Sequence, residues 1–289
     1  GSTVVLNQKF CSPRLGWLTF ILMVGGMVLS NVMVLMGKAD VMLTSYVPLK
    51  AHPLYYLGII LFAVGALIGV GLFFANIVNA KRDGNVGETL PLFTYGLMTA
   101  AILAVITLAS GAIIYIPTFL WSLGLIDSVD PAVYKLIWWG LGHSSQQINV
   151  AAMVSIWYLV TFLALGGTSI NERVSRTAFF LYILFISLAS AHHLLTDPAT
   201  SSAWKVWNTS YAMYLAVLAS MIHAFAVPSS IESAQRRWGF NKGLFEWLSK
   251  APWSNPAFAA CVLACIGFGF IGGTTGVIFG MEQTNIIVH

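Results

Sequence analysis

The sequence predicts an all-α membrane protein, and three observations predict it. The chain of 289 residues is 58% hydrophobic and only 8% charged, too little charge to clothe a soluble domain of this length. Its apolar residues gather into stretches long enough to cross a bilayer, which takes about 20 residues per helix. Those stretches are continuous rather than alternating, which excludes the period-two pattern of a membrane barrel. There is no internal repeat or low-complexity tract, so residues 1–289 read as a single transmembrane helical domain.

Seven spans follow in order, over 15–37, 54–80, 90–120, 136–167, 175–191, 204–228 and 256–279. The fifth is the shortest. Lys and Arg in the loops set the orientation. With the N-terminus cytoplasmic, Lys9, Arg14, Lys81, Arg82, Arg173, Arg176, Arg236, Arg237, Lys242 and Lys250 lie inside, and only Lys38, Lys50, Lys135 and Lys205 lie outside. Seven spans then put His289 outside. The pI of about 9.0 would suggest nucleic acid in a soluble protein; with the basic residues in short loops between apolar spans it suggests anionic lipid instead, and no nucleic-acid partner is expected. Trp247 and Trp253, in the inner loop before the last span, suit headgroup level. Cys11, Cys261 and Cys265 form no CxxC pair and read as small packing residues.

The chemistry concentrates in the fourth span. Residues 138–160, WWGLGHSSQQINVAAMVSIWYLV, carry one polar cluster in an apolar segment, and such clusters usually face a site or a water-filled cavity. His143 and Gln147 are i,i+4 and share a face. Tyr158 returns to roughly that face about 22 Å further along. His143 alone would be read as a hydrogen-bonded structural residue, and the pair His192–His193 alone as a cap on the fifth span. Together they are three imidazoles on one side of the membrane, a donor set that suits copper or zinc. His223 reads as an interior hydrogen-bonding residue and His52, beside Pro53, as structural. Trp138 and Trp139 fit an interfacial belt, with packing on a flat cofactor as the alternative. A seven-helix receptor, channel or light-driven pump fits the span count. The last span, however, has no Lys for a retinal Schiff base, and a channel leaves the three histidines without a joint role.

The segments YVPLKAHPLYYLG (46–58), WWGLGH (138–143), HHLLTDP (192–198), APWSNPAF (251–258), GFIGGTTGV (269–277) and NIIVH (285–289) resemble, in order and spacing, the catalytic subunit (subunit I) of the haem–copper oxidoreductases, B-type branch. The resemblance implies that the seven spans are the central helices of a roughly twelve-helix fold in the plasma (inner) membrane, and that His143, His192 and His193 hold a CuB-type copper. The oxidases carry a redox-active tyrosine four residues after the first copper histidine. Here that position is Gln147, which cannot donate an electron. This looks like a copper-containing nitric oxide reductase, with nitric oxide reduced to nitrous oxide and Gln147 as a catalytic residue; a B-type cytochrome c oxidase reducing dioxygen to water is the alternative. The resemblance further implies a proton pathway through Tyr158, Thr209 and Ser210, with Ala212 at a position where a hydroxyl is expected. It places Asn285 and His289 near haem propionates. It implies high-spin and low-spin haem whose axial ligands lie outside this sequence, on further helices or chains, and an electron-donor subunit with a cytochrome or cupredoxin domain.

Overall fold

The computed structural model describes residues 1–42, 44–186, 190–198 and 200–280. Six helices among them are long and apolar enough to cross a membrane. We label them α1 (Pro13–Leu35), α2 (Pro53–Arg82), α3 (Leu92–Ser122), α4 (Pro131–Leu165), α6 (Ser202–Arg237) and α8 (Pro256–Ile278), with α5 (Glu172–Leu181) and the short α7 (Glu246–Ser249) between them. The expected fifth span, 175–191, takes a different form. The helix α5 passes into a π-turn at Tyr182–Ile186, and a 3₁₀ turn at Ser190–Leu194 follows the undescribed residues 187–189. Two other spans also carry π segments, Asn208–Met213 in α6 and Cys265–Ile271 in α8. Such bulges recur at functional sites in helices.

The chain resolves into two compact units, 1–89 with 101–146, and 90–100 with 147–289. Two of the three junctions fall inside the continuous helices α3 and α4.

The first unit is built on the hairpin of α1 and α2. Each begins with a cap that the sequence writes plainly. The Ser12 hydroxyl accepts from Leu15 N at 3.3 Å, and His52 Nδ1 accepts from Leu54 N at 3.2 Å, each with Pro at the first helical position. His52 is therefore structural, as its neighbour Pro53 suggests. Gly26 and Gly58 let the two helices touch backbone to backbone. A Cβ on Gly26 would strike the Gly58 carbonyl, and one on Gly58 would lie 2.6 Å from the Gly26 carbonyl. Small residues at such crossings let membrane helices associate closely. We expect Gly58→Val to force α1 and α2 apart and to lower the midpoint of thermal unfolding in detergent by several degrees, whereas Gly25→Val, which meets nothing within 4 Å, should leave it unchanged. Asn76 is buried in α2, accepts from Cys11 N at 2.9 Å and donates to the Ser2 hydroxyl at 3.4 Å, which ties the N-terminal segment to the helix. The loop before α2 folds over Tyr56, Tyr115, Tyr134 and Trp138. There Ala51 N donates to Tyr56 Oη at 3.1 Å and Trp138 Nε1 to Tyr115 Oη at 3.3 Å, so the polar ends of the aromatic residues are satisfied as they must be when buried.

The second unit packs α5, α6 and α8 with the later part of α4. Cys261 and Cys265 are buried free thiols, with Cys261 Sγ 3.7 Å from the Trp157 carbonyl and Cys265 Sγ 3.8 Å from that of Ala224. Both serve packing, as expected. Gly269 brings α8 onto α6, where an added Cβ would come within 2.9 Å of Ala224 Cβ. At the arginine-bearing end Arg176 lies over the Tyr95 ring at 4.8 Å, pairs with Glu172 at 2.5 Å and donates to the Leu90 carbonyl. The expected positions near haem propionates, Asn285 and His289, lie outside the described residues.

Candidate metal centre

The helix α4 starts where its sequence permits a cap. Asp130 Oδ1 accepts from Ala132 N at 2.8 Å and Val133 N at 3.1 Å, with Pro131 as the first helical residue. Three turns on, Gly142 makes room for the Trp138 indole, which an added Cβ would strike. Trp138 in turn stacks edge-on to Trp139, ring centroids 4.7 Å apart. The next residue, His143, is buried, with 5% of its surface exposed. Gln147 is half-buried one turn further along the same helix face.

The other two histidines sit in the 3₁₀ turn Ser190–Leu194. Leu195 N donates to the His192 carbonyl at 3.4 Å, and the Thr200 hydroxyl donates to the carbonyls of Leu194 and Asp197 at 3.2 and 2.8 Å. Buried Leu194 and Leu195 anchor the turn. His192 is buried, His193 is half-buried, and their ring centroids are 3.9 Å apart. One ligand-capable atom from each of His143, His192 and His193 lies within 4.8 Å of the others. These are the three histidines that the sequence offers as a donor set. Three imidazoles, with no carboxylate or thiolate in the group among the described residues, suit copper or zinc, and the donor set therefore fits the copper the resemblance implies.

The residues expected to carry protons are placed unequally. Tyr158 is buried on α4, its hydroxyl 3.0 Å from Ser175 Oγ and 2.9 Å from His223 Nδ1. Thr209 donates its hydroxyl to the Lys205 carbonyl of its own helix, a bond β-hydroxyl residues often make in helices. Ser210 is exposed. The polar chain that Tyr158 joins thus runs through Ser175 and His223, which no motif marks: His223 is 65 positions from Tyr158, and Ser175 is 17. His223 is an interior hydrogen-bonding residue, as expected. The contribution of Gly142 was also not foreseen; its only sign in the sequence is a glycine inside an otherwise bulky helical run.

A helical membrane scaffold carrying these three histidines fits the haem–copper oxidoreductase class that the resemblance implies. The family described as "Cytochrome C and Quinol oxidase polypeptide I" matches residues 3–289. Cytochrome c oxidase subunit 1 of Thermus thermophilus is 32% identical over 289 residues, covering 98% of this chain and 50% of the relative. Cytochrome c oxidase subunit 1 of Bacillus subtilis is 23% identical over 293 residues, covering 94% and 42%. A solved haem–copper terminal oxidase dimer superposes with a TM-score of 0.90 at 25% identity over 99% of this chain and 50% of that one. The chain belongs to the haem–copper oxidase subunit I family, whose members are multi-pass membrane oxidoreductases of electron transport that carry haem and copper. It spans about half the length of the curated relatives it matches.

Proposed function

We propose that this chain holds the copper of a respiratory terminal oxidase that reduces dioxygen to water, with electrons from a cytochrome or cupredoxin-type donor subunit. The observation that carries this reading is the histidine trio, whose ligand-capable atoms lie within 4.8 Å in a chain resembling named cytochrome c oxidase subunits. His143, His192 and His193 hold the metal as neutral imidazoles. Copper bound there would supply Lewis-acid polarisation and a one-electron redox change. Gln147, one turn from His143, offers an amide donor to the reacting molecule. The axial ligands of the haems come from further helices or chains in the same membrane. The termini follow the loop arginines and lysines, N-terminal end cytoplasmic.

A second reading, nitric oxide reduction to nitrous oxide, is favoured by one residue. Gln147 occupies the position where the resemblance places a redox-active tyrosine, and an amide supplies no electron. Coupling two nitric oxide molecules takes two electrons and dioxygen cleavage takes four, so the tyrosine matters less to the first. Sequence reasoning alone puts nitric oxide first; the names of the relatives put dioxygen first. The test is dioxygen and nitric oxide consumption by one sample of the intact membrane complex, with copper and haem content measured. We expect dioxygen turnover to exceed nitric oxide turnover. The reverse order assigns the enzyme to nitric oxide.

A further inference from the structure

In the second unit α4 and α6 end side by side, at Leu165 and Arg237, and the chain after α6 folds back over both ends. Three contacts fix this corner. Arg237 donates to the Gly166 carbonyl at 3.3 Å, the Trp238 indole N–H donates to the Leu165 carbonyl at 3.5 Å, and buried Gln235 donates through Nε2 to the Trp247 carbonyl at 3.4 Å. Between these ties lies an open cavity of about 430 Å³. Its wall is mostly hydrocarbon, from Leu163, Leu165, Trp238 and Phe240, and Lys250 is the charged residue that lines it. Leu163 and Trp238 are each 72% exposed, so the apolar wall opens outward rather than into the core.

The charges around the cavity favour an anion. Residues 229–255 carry Arg236, Arg237, Lys242 and Lys250 against Glu232 and Glu246, four basic groups against two acidic ones. Both carboxylates are engaged elsewhere: Glu232 pairs with Arg236 at 2.8 Å, and Glu246 Oε2 accepts from Lys242 N at 2.5 Å. Among the described residues no carboxylate pairs with Lys250. The carbonyl end of a helix ordinarily repels an anion. Here the last carbonyls of α4 are covered by Arg237 and Trp238.

We propose that this cavity binds one anionic phospholipid, with its phosphodiester on Lys250 and the start of its acyl chains along Leu163, Leu165 and Trp238. An ammonium beside a hydrocarbon wall at the end of two spans matches a molecule with an anionic head and an apolar body. Under the proposed orientation this end meets the cytoplasmic leaflet, which carries the anionic lipid, and basic pockets between spans on that side hold phospholipid head groups. The site does not depend on which gas the metal centre reduces.

The plainer reading is a water-filled crevice with a solvated lysine. Native mass spectrometry of the intact complex separates the two, after exchange into lipid-free detergent and addition of dioleoylphosphatidylglycerol or dioleoylphosphatidylcholine. We expect wild type to hold phosphatidylglycerol at one saturable site about tenfold or more tightly than phosphatidylcholine, the range of a charge-assisted hydrogen bond. Lys250→Gln should erase the preference and Lys250→Arg should keep it. Ala164→Phe fills the cavity from the α4 wall with every charge in place, and should abolish the site for both lipids. If it does not assemble, Lys250→Gln, an exposed substitution, decides the matter. Lys242→Gln removes a charge from the same loop outside the lining and should keep the preference, weakening binding about fivefold at most. Equal binding of the two lipids to wild type overturns the site, as does an unchanged preference in Lys250→Gln. Equal losses in Lys250→Gln and Lys242→Gln overturn it in favour of diffuse surface charge. A polypeptide, rather than lipid, lost from Ala164→Phe overturns it in favour of a partner subunit.

Discussion

Replacing His192 by Ala is expected to strip the complex of most of its copper and to abolish turnover. The three histidines offer the cluster's ligands, one atom each within 4.8 Å, and among the described residues no Cys, Asp or Glu belongs to the group. With one imidazole gone, two remain, and the nearest-neighbour ring His193 cannot serve twice. Changes to groups that merely orient a ligand already cost about 10- to 100-fold in metal affinity or activity, so loss of a ligand itself should exceed that range. His52→Ala is the control. Its Nδ1 only caps α2, and the change should cost about 1 kcal/mol of stability while copper stays in place. Elemental analysis of the purified complexes reads the result. Full copper in His192→Ala would remove that residue from the ligand set, and copper lost equally from His52→Ala would show that the assay reports folding.

Much of this fold is legible because a bilayer allows so few backbone solutions. Six of the seven expected spans recur as long apolar helices, and their ends shift for local reasons. The helix α4 begins at Pro131 rather than 136 because Asp130–Pro131 is a cap that an apolar window overlooks. The helix α6 runs to Arg237 rather than 228 because residues 229–237, SSIESAQRR, are polar yet hold neither Pro nor Gly and gain an Arg236–Glu232 pair at 2.8 Å. The interruption of the fifth span at Tyr182–Ile186 is not legible, since apolar composition does not tell a π-turn from an α-turn. The candidate donor set His143, His192 and His193 was legible because the expected topology puts the start of one span and the end of the next on one side. His223 was not, because its meaning lies in partners from α4 and α5 that only packing reveals.

Gln147→Leu is expected to lower turnover about 100- to 1,000-fold with copper retained, whichever diatomic molecule proves to be the substrate. Dioxygen and nitric oxide both arrive uncharged and both gain negative charge as they are reduced. A fixed amide aimed at that developing charge does more for the transition state than for the bound substrate. Donors of this kind are commonly worth about 2.7–4 kcal/mol each, which is the range of the expected loss. Gln147 lies one turn after His143 on α4 and is half-buried, so leucine fits its volume without disturbing the helix, to which leucine is well suited. Gln147→Ala should match it, because the loss is that of the donor and not of the bulk. Gln147→Glu separates donor from charge: a carboxylate there repels the developing anion and should be at least as slow. The measurements are steady-state consumption of both gases and copper content for each variant. Unchanged turnover in Gln147→Leu and Gln147→Ala would take the amide out of the chemistry, whereas slow turnover with lost copper would assign Gln147 to support of the metal site.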